Sequence, residues 1–140
     1  MRVLVVVNEV VARRAVEAAL QRGGFQTVGV GDGLAAWEIL KRADSPRLMV
    51  LDWAMEGFDG AEILARLHAM PGRAPFHVVM TSVRTRPEDV VAALEAGADD
   101  YVTKPFHAGE LRARVQVGAR HLEQVDALER RIAELLRPAA

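Results

Sequence analysis

The sequence contains no cysteine, so disulfide bonds, thiolate metal sites and thiol nucleophiles are all excluded. It also has almost no excess charge, with a formal net charge of -1, so no general basic field attracts nucleic acid or anionic lipid. The apolar start, MRVLVVV, ends at Asn8 and Glu9 and is too short for a signal peptide or a membrane span. We therefore expect a cytoplasmic protein with no direct nucleic-acid partner and no membrane partner.

Over its 140 residues, a length that fits one domain, the sequence alternates strand patterns with helix patterns. Parallel strands need crossover connections, so this alternation predicts an α/β fold with a single doubly wound, five-stranded parallel sheet and helices on both faces. The two common open arrangements are the dinucleotide-binding order and the flavodoxin-like order 2-1-3-4-5. Short apolar runs place the five strands at residues 3–7, 25–30, 48–52, 77–80 and 101–103, the fourth of them running into Thr81-Ser82.

The segment LMVLDWAMEGFDG ends its apolar run at Asp52, which places a carboxylate where a buried strand leaves the core. In the flavodoxin-like order, Asn8 and Glu9 would lie beside Asp52, with Thr81 and Lys104 on the same edge of the sheet. A carboxylate nucleophile, a hydroxyl, a lysine and oxygen ligands for a divalent cation are the groups that phosphoryl transfer to a carboxylate requires.

Three segments give the sequence its resemblance to a known family: LDWAMEGFDG, the Thr81-Ser82 pair and EAGADDYVTKPF. With the helix spacing between them, they resemble the receiver domains of two-component response regulators over residues 2–122. The resemblance implies the flavodoxin-like strand order, which it favours over the dinucleotide-binding one. It also implies a signalling domain rather than an enzyme.

By this resemblance, each matching residue takes the role of its counterpart in the family. Asp52 is expected to be the phospho-acceptor and Thr81 the switch hydroxyl. Lys104 is expected to pair with the phosphoryl group, and Tyr101 to be the aromatic rotamer switch. Lys104-Pro105 would be a cis peptide bond, which is plausible because only X-Pro bonds adopt the cis form at low cost.

The sequence departs from the family at the acidic pair that usually ends the first strand and coordinates Mg²⁺. One register places these positions at Val7 and Asn8, followed by Glu9; a shift by one residue places them at Asn8 and Glu9. The helical phase of the following residues favours the first register. Glu56 is a second departure, because it stands where the family often has proline.

In the first register, the oxygen ligands that remain for Mg²⁺ are Asp52, Asn8, Glu9 and the backbone carbonyl of Ala54. Magnesium usually keeps several waters, so we expect its binding to be weakened rather than lost.

The last helical pattern runs without proline from residue 109 to residue 136 and is longer than a receiver domain needs. We expect residues 1–122 to form the receiver domain and residues 123–140 a helical C-terminal extension, serving as a coiled coil or a coupling helix. An isolated helix of this type is only marginally stable, so a homodimer is expected, through this helix or through the surface of the fourth helix, fifth strand and fifth helix. A solvated helical tail is the alternative.

Two functions remain open. In the first, a histidine kinase or phosphotransfer protein donates a phosphoryl group to Asp52, and the surface of the fourth helix, fifth strand and fifth helix changes. In the second, the loss of the acidic pair marks a degenerate receiver that acts as a phosphorylation-independent interaction or dimerisation module. The retained Asp52, Thr81 and Lys104 favour the first, whereas Val7, Asn8 and Glu56 favour the second.

Overall fold

A computed structural model describes residues 1–139, which form five strands alternating with five helices. The strands are β1 (Arg2–Val6), β2 (Gln26–Val30), β3 (Leu48–Asp52), β4 (His77–Ser82) and β5 (Asp100–Thr103). The helices are α1 (Val10–Arg22), α2 (Gly33–Leu40), α3 (Gly60–Ala69), α4 (Pro87–Glu95) and α5 (Ala108–Leu136). The strand boundaries lie within two residues of those predicted from the apolar runs.

The five strands form one parallel sheet in the order β2-β1-β3-β4-β5, so the predicted fold class and strand order are confirmed. In this order the chain reverses direction across the sheet between β1 and β3, and their carboxyl ends form the edge at which a ligand crevice is expected. Asp52 is the last residue of β3 and stands directly opposite Thr81 of β4.

The sheet separates two apolar cores, because successive side chains of a strand point to opposite faces. Leu4 and Val6 belong to the core on one face, which also contains buried residues of α2, α3 and α4. Val3, Val5 and Val7 belong to the core on the other face, with buried residues of α1 and α5. The alternation along β1 therefore directs the side chain of Val7 toward α1 and α5.

Helix α5 is 29 residues long, as the uninterrupted apolar pattern predicted. Its first half is docked on the sheet, and Leu122 is the last buried residue in it. Beyond that point a series of apolar side chains is exposed: Leu128, Ile132, Leu135 and Leu136. No helix within residues 1–139 is both long enough and apolar enough to cross a membrane.

Candidate functional site

The carboxylate of Asp52 is buried at the end of β3, where only 4% of the residue is exposed. Every residue of β3 is buried, because helices cover both faces of the sheet. The strand that positions Asp52 is therefore held on both sides.

Thr81 and Lys104 both meet the same carboxylate oxygen of Asp52. The hydroxyl of Thr81, itself buried, donates a hydrogen bond to Oδ1, and Lys104 Nζ lies 2.9 Å from that atom. A buried carboxylate needs a compensating charge. The ammonium of Lys104 supplies it, so the pair of Asp52 and Lys104 is electrically neutral. The three residues come from the ends of β3 and β4 and from the loop after β5, as the strand order predicted.

The backbone after β5 places Lys104 at this edge. The Lys104 backbone N–H donates to the Ser82 carbonyl over 2.8 Å, which continues the pairing of β4 with β5 by one residue. The Lys104-Pro105 peptide bond is cis, as the resemblance implied.

Tyr101 lies near the site but does not contact Asp52 or Thr81 through its hydroxyl. Its hydroxyl donates instead to the backbone carbonyl of Arg84, at 2.8 Å, in the loop between β4 and α4. The Tyr101 ring packs edge-on against Trp53, with 6.3 Å between the ring centroids. The arrangement ties β5 to the loop that follows Thr81, and the predicted switch role of Tyr101 stays a prediction.

The structure favours the register that equates Val7 and Asn8 with the acidic pair. Val7 is only 2% exposed and its backbone N–H donates to the Val30 carbonyl, so it continues β1 at the edge where Asp52 lies. Asn8 and Glu9 are exposed. In this register, an apolar side chain occupies a position where the resemblance implies a carboxylate, and the register stays a prediction.

Glu9 is engaged at the N-terminus of α1. Its two carboxylate oxygens accept hydrogen bonds from the backbone N–H groups of Ala12, at 2.6 Å, and Val11, at 3.0 Å. These bonds hold the pKa of Glu9 below its ordinary value, the bond from Ala12 having the larger effect. The carboxylate satisfies donors that would otherwise be unpaired at a helix start.

The proposed magnesium ligands do not form a preformed metal site. Asp52 Oδ1 is already bound by Lys104 and Thr81, Glu9 caps α1, and Asn8 and Ala54 are exposed in the loops. Among the described residues, no group of three or more His, Cys, Asp or Glu side chains could hold a metal ion. Because Mg²⁺ needs near-octahedral oxygen ligation, the donors present here fit it poorly. The ligand set stays a prediction.

Two features near the strands escaped the sequence analysis. The guanidinium of Arg84 lies over the Trp53 ring, 4.3 Å from its centroid, beside the site. At the opposite edge of the sheet, His77 and His121 approach each other, with 3.2 Å between their Nδ1 atoms. These histidines are 44 positions apart in sequence, so no local spacing could have revealed the pair.

Comparison with known proteins identifies what this arrangement resembles. Residues 3–116 match the family model of the response regulator receiver domain. The chain is 42% identical to the transcriptional regulatory protein CseB of Streptomyces coelicolor over 114 residues, which is 81% of this chain and 47% of that protein. It is 36% identical to the DNA-binding response regulator MtrA of Mycolicibacterium smegmatis over 126 residues, which is 90% of this chain and 54% of that protein.

Among solved structures, the chain is similar to the receiver domain of the Francisella response regulator 1452. The TM-score is 0.80 at 27% identity, covering 86% of this chain and 97% of that one. The chain spans about half the length of the curated relatives it matches.

The names of these relatives correct one expectation from the sequence. From the near-neutral net charge we expected no direct nucleic-acid partner. One relative, however, is named a transcriptional regulatory protein, and another is named a DNA-binding response regulator. That expectation was wrong, because net charge reports on non-specific attraction to nucleic acid and not on the pathway in which a signalling domain works.

Proposed function

This chain belongs to the response regulator receiver domain family, and on that premise we propose that Asp52 accepts a phosphoryl group from a histidine kinase or a phosphotransfer protein. Receiver domains are signalling components of two-component systems rather than enzymes. The observation that carries the proposal is the joint contact of Thr81 and Lys104 with one oxygen of Asp52.

Two contacts at Oδ1 suit Asp52 to act as the nucleophile. The described hydrogen-bond and ion-pair partners of its carboxylate both meet Oδ1, so Oδ2 is available to attack phosphorus in line. A bond forms between Oδ2 and phosphorus while the phosphorus–nitrogen bond of the donor phosphohistidine breaks. The leaving imidazole keeps the electron pair and is protonated from water.

The same two residues would bind the phosphoryl group after transfer. An aspartyl phosphate carries more negative charge than the carboxylate it replaces, and Lys104 supplies one positive charge next to it. The Thr81 hydroxyl can turn from Oδ1 to a phosphoryl oxygen. Both contacts would be exchanged locally, without a change in the sheet.

Movement of Thr81 would alter the surface formed by α4, β5 and α5. Tyr101 is fixed by its bond to the Arg84 carbonyl, and Arg84 lies in the loop after β4, three positions after Thr81. A shift of that loop breaks or remakes the Tyr101 bond and so changes the exposed face of β5. Phosphorylation would bias two arrangements that the domain already populates.

No step of this mechanism uses a metal. Receiver domains generally bind Mg²⁺, but the donors in this chain fit it poorly, and Asp52 with Lys104 is a neutral pair without it. We therefore expect phosphorylation of Asp52 to depend only weakly on Mg²⁺.

Intact mass spectrometry after incubation with a small phosphodonor tests the proposal. Wild type should gain one phosphoryl mass, with Mg²⁺ and also with a chelator, and Asp52→Asn should gain none. The matched control is Asp44→Asn, which removes an exposed carboxylate far from the site and should behave as wild type. Lys104→Ala and Thr81→Ala should slow or abolish the gain while remaining folded by circular dichroism.

A second function is favoured by one specific observation: Val7 fills the acidic position with a buried apolar side chain. On this alternative the chain is a degenerate receiver, a phosphorylation-independent interaction module. Absence of the adduct in folded protein, at high Mg²⁺ and also with Mn²⁺, would overturn phosphoryl transfer to Asp52 and favour this alternative.

The names of the relatives support a transcriptional output for the switch, so DNA belongs among the components of the proposed pathway. A cytoplasmic location is part of the same proposal and rests on family membership and the lack of cysteine. Residues 1–122 are proposed as the receiver domain, with residues 123–140 as a helical extension, because Leu122 is the last buried residue of α5.

A further inference from the structure

A cavity of about 290 Å³ lies beside Asp52, between α1 and the start of α5. Its wall is apolar and is built from three places: the end of β1, one face of α1, and the segment from the β5–α5 loop into α5. The residues that form this wall include Val7, Ala12, Val16, Ala19, Phe106 and Leu111. The cavity is thus continuous with the proposed phosphorylation site but differs from it in chemistry.

Val7 contributes to the apolar part of the cavity wall. A carboxylate at this position, as in the family pattern, would make the same space hydrophilic and would draw water or a cation into it. Val7 is 2% exposed and belongs to the core formed with α1 and α5. Valine at position 7, in place of the carboxylate of the family pattern, therefore also makes a pocket that favours an apolar occupant.

The polar part of the cavity wall is formed by the three groups of the site, Asp52, Thr81 and Lys104. An ammonium group has three N–H donors, and the Lys104 ammonium uses one on Asp52. The Lys104 side chain is 32% exposed, whereas that of Asp52 is 6% exposed and its charge is already balanced by Lys104. The polar part of the wall is therefore better suited to an anionic head group on Lys104 than to a cationic one on Asp52.

The size of the cavity limits the ligand. Its volume of about 290 Å³ lies at the lower end of the range of about 300–1,000 Å³ for small-molecule pockets, so the ligand is small. We propose that this cavity binds a small amphiphilic carboxylate, with its apolar body against Val7, Val16 and Leu111 and its carboxylate on Lys104.

Such a ligand would oppose phosphorylation, because its carboxylate and the phosphoryl group would use the same Lys104 donors. This consequence rests on the proposed function, whereas binding of the ligand does not. The domain would then respond to a small molecule as well as to a kinase.

Calorimetric titration with sodium octanoate, which has ten non-hydrogen atoms, tests binding in the absence of any phosphodonor. Wild type should bind saturably, and 1-octanol, which has no charge, should bind more weakly. Ala15→Leu adds bulk to an exposed alanine that lines the cavity and should weaken binding about tenfold or more. Ala65→Leu makes the same change on an exposed position of α3, on the other side of the sheet, and should leave binding unchanged.

No saturable binding to wild type, or equal binding to Ala15→Leu and wild type, would overturn the proposal. In a second measurement, octanoate is added to the phosphodonor reaction. It should slow adduct formation in wild type and slow it much less in Ala15→Leu. Octanoate binding without any adduct would remove the proposed function and leave the ligand inference standing. Adduct formation without octanoate binding would overturn the ligand inference and leave the proposed function standing.

Discussion

Replacing Val7 with aspartate tests directly whether this side chain is the reason for a poor magnesium site. Val7 is 2% exposed and packs in the core with α1 and α5. Losing the buried valine side chain costs about 1.5–3 kcal/mol of the free energy of unfolding. A carboxylate buried without a partner adds a further penalty of about 1–3 kcal/mol at a site that borders a cavity, and Asp52 lies close enough to add repulsion. Without metal, Val7→Asp should therefore be about 2.5–6 kcal/mol less stable than wild type.

Magnesium should recover part of this loss. A ligand at about one hundred times its dissociation constant stabilises the folded state by about 2.7 kcal/mol. For a domain of this size, that corresponds to an increase of about 8–12 °C in Tm. We expect Mg²⁺ to raise the Tm of Val7→Asp by this order and to change that of wild type by much less. The measurement is thermal unfolding followed by circular dichroism, with excess MgCl₂ and with a chelator.

Val7→Asn is the matched control, because asparagine has the size of aspartate without its charge. It should lose the packing of the valine side chain but gain no response to Mg²⁺. The reasoning would be refuted by a wild-type protein that Mg²⁺ stabilises as strongly as it stabilises Val7→Asp. It would equally be refuted by a Val7→Asp variant that is insensitive to Mg²⁺.

Three further predictions concern other parts of the fold. Burial lowers the pKa of His77 below its ordinary value, so the unfolded chain binds this proton more readily than the folded chain. The contribution of His77 to stability should be complete above about pH 6.5 and should decline as the pH falls below that value; a pH series of Tm measurements should show this decline, and a smaller one in His77→Gln. Gly118→Ala places a Cβ 2.5 Å from the His77 ring and 2.9 Å from Leu48, so denaturant unfolding should show a loss of about 1–3 kcal/mol; a loss near zero would mean that α5 moves away freely. Tyr101→Phe removes the hydroxyl that donates to the Arg84 carbonyl and should cost no more than about 1 kcal/mol, but hydrogen exchange in the loop after β4 should become faster; unchanged exchange there would show that the bond does not hold the loop.

The sequence determined the architecture of this protein to a large extent. Apolar runs of strand length, each followed by a helix pattern with turn residues at its ends, are local features, and five of them leave few possible sheets. Asp52, Thr81 and Lys104 could be predicted to meet because each lies at or just after the carboxyl end of a strand, and the carboxyl ends of parallel strands share one edge. The structure confirms the order β2-β1-β3-β4-β5 for the described residues, and it brings Asp52 into contact with Thr81 and Lys104.

The tertiary structure decided how the individual side chains are used. The face on which Val7 lies depends on the two-residue alternation of β1 together with which helices cover each side of the sheet. Glu9 could serve a metal or a helix start, and the path of α1 assigned it to the helix start. The Tyr101 hydroxyl found a backbone carbonyl in a neighbouring loop. The cavity beside Asp52 exists because α1 and α5, which are distant in sequence, approach each other there. A sequence pattern records the nature and order of the side chains, but contacts between distant segments depend on how the crossover helices dock, and that is settled only when the whole chain is folded.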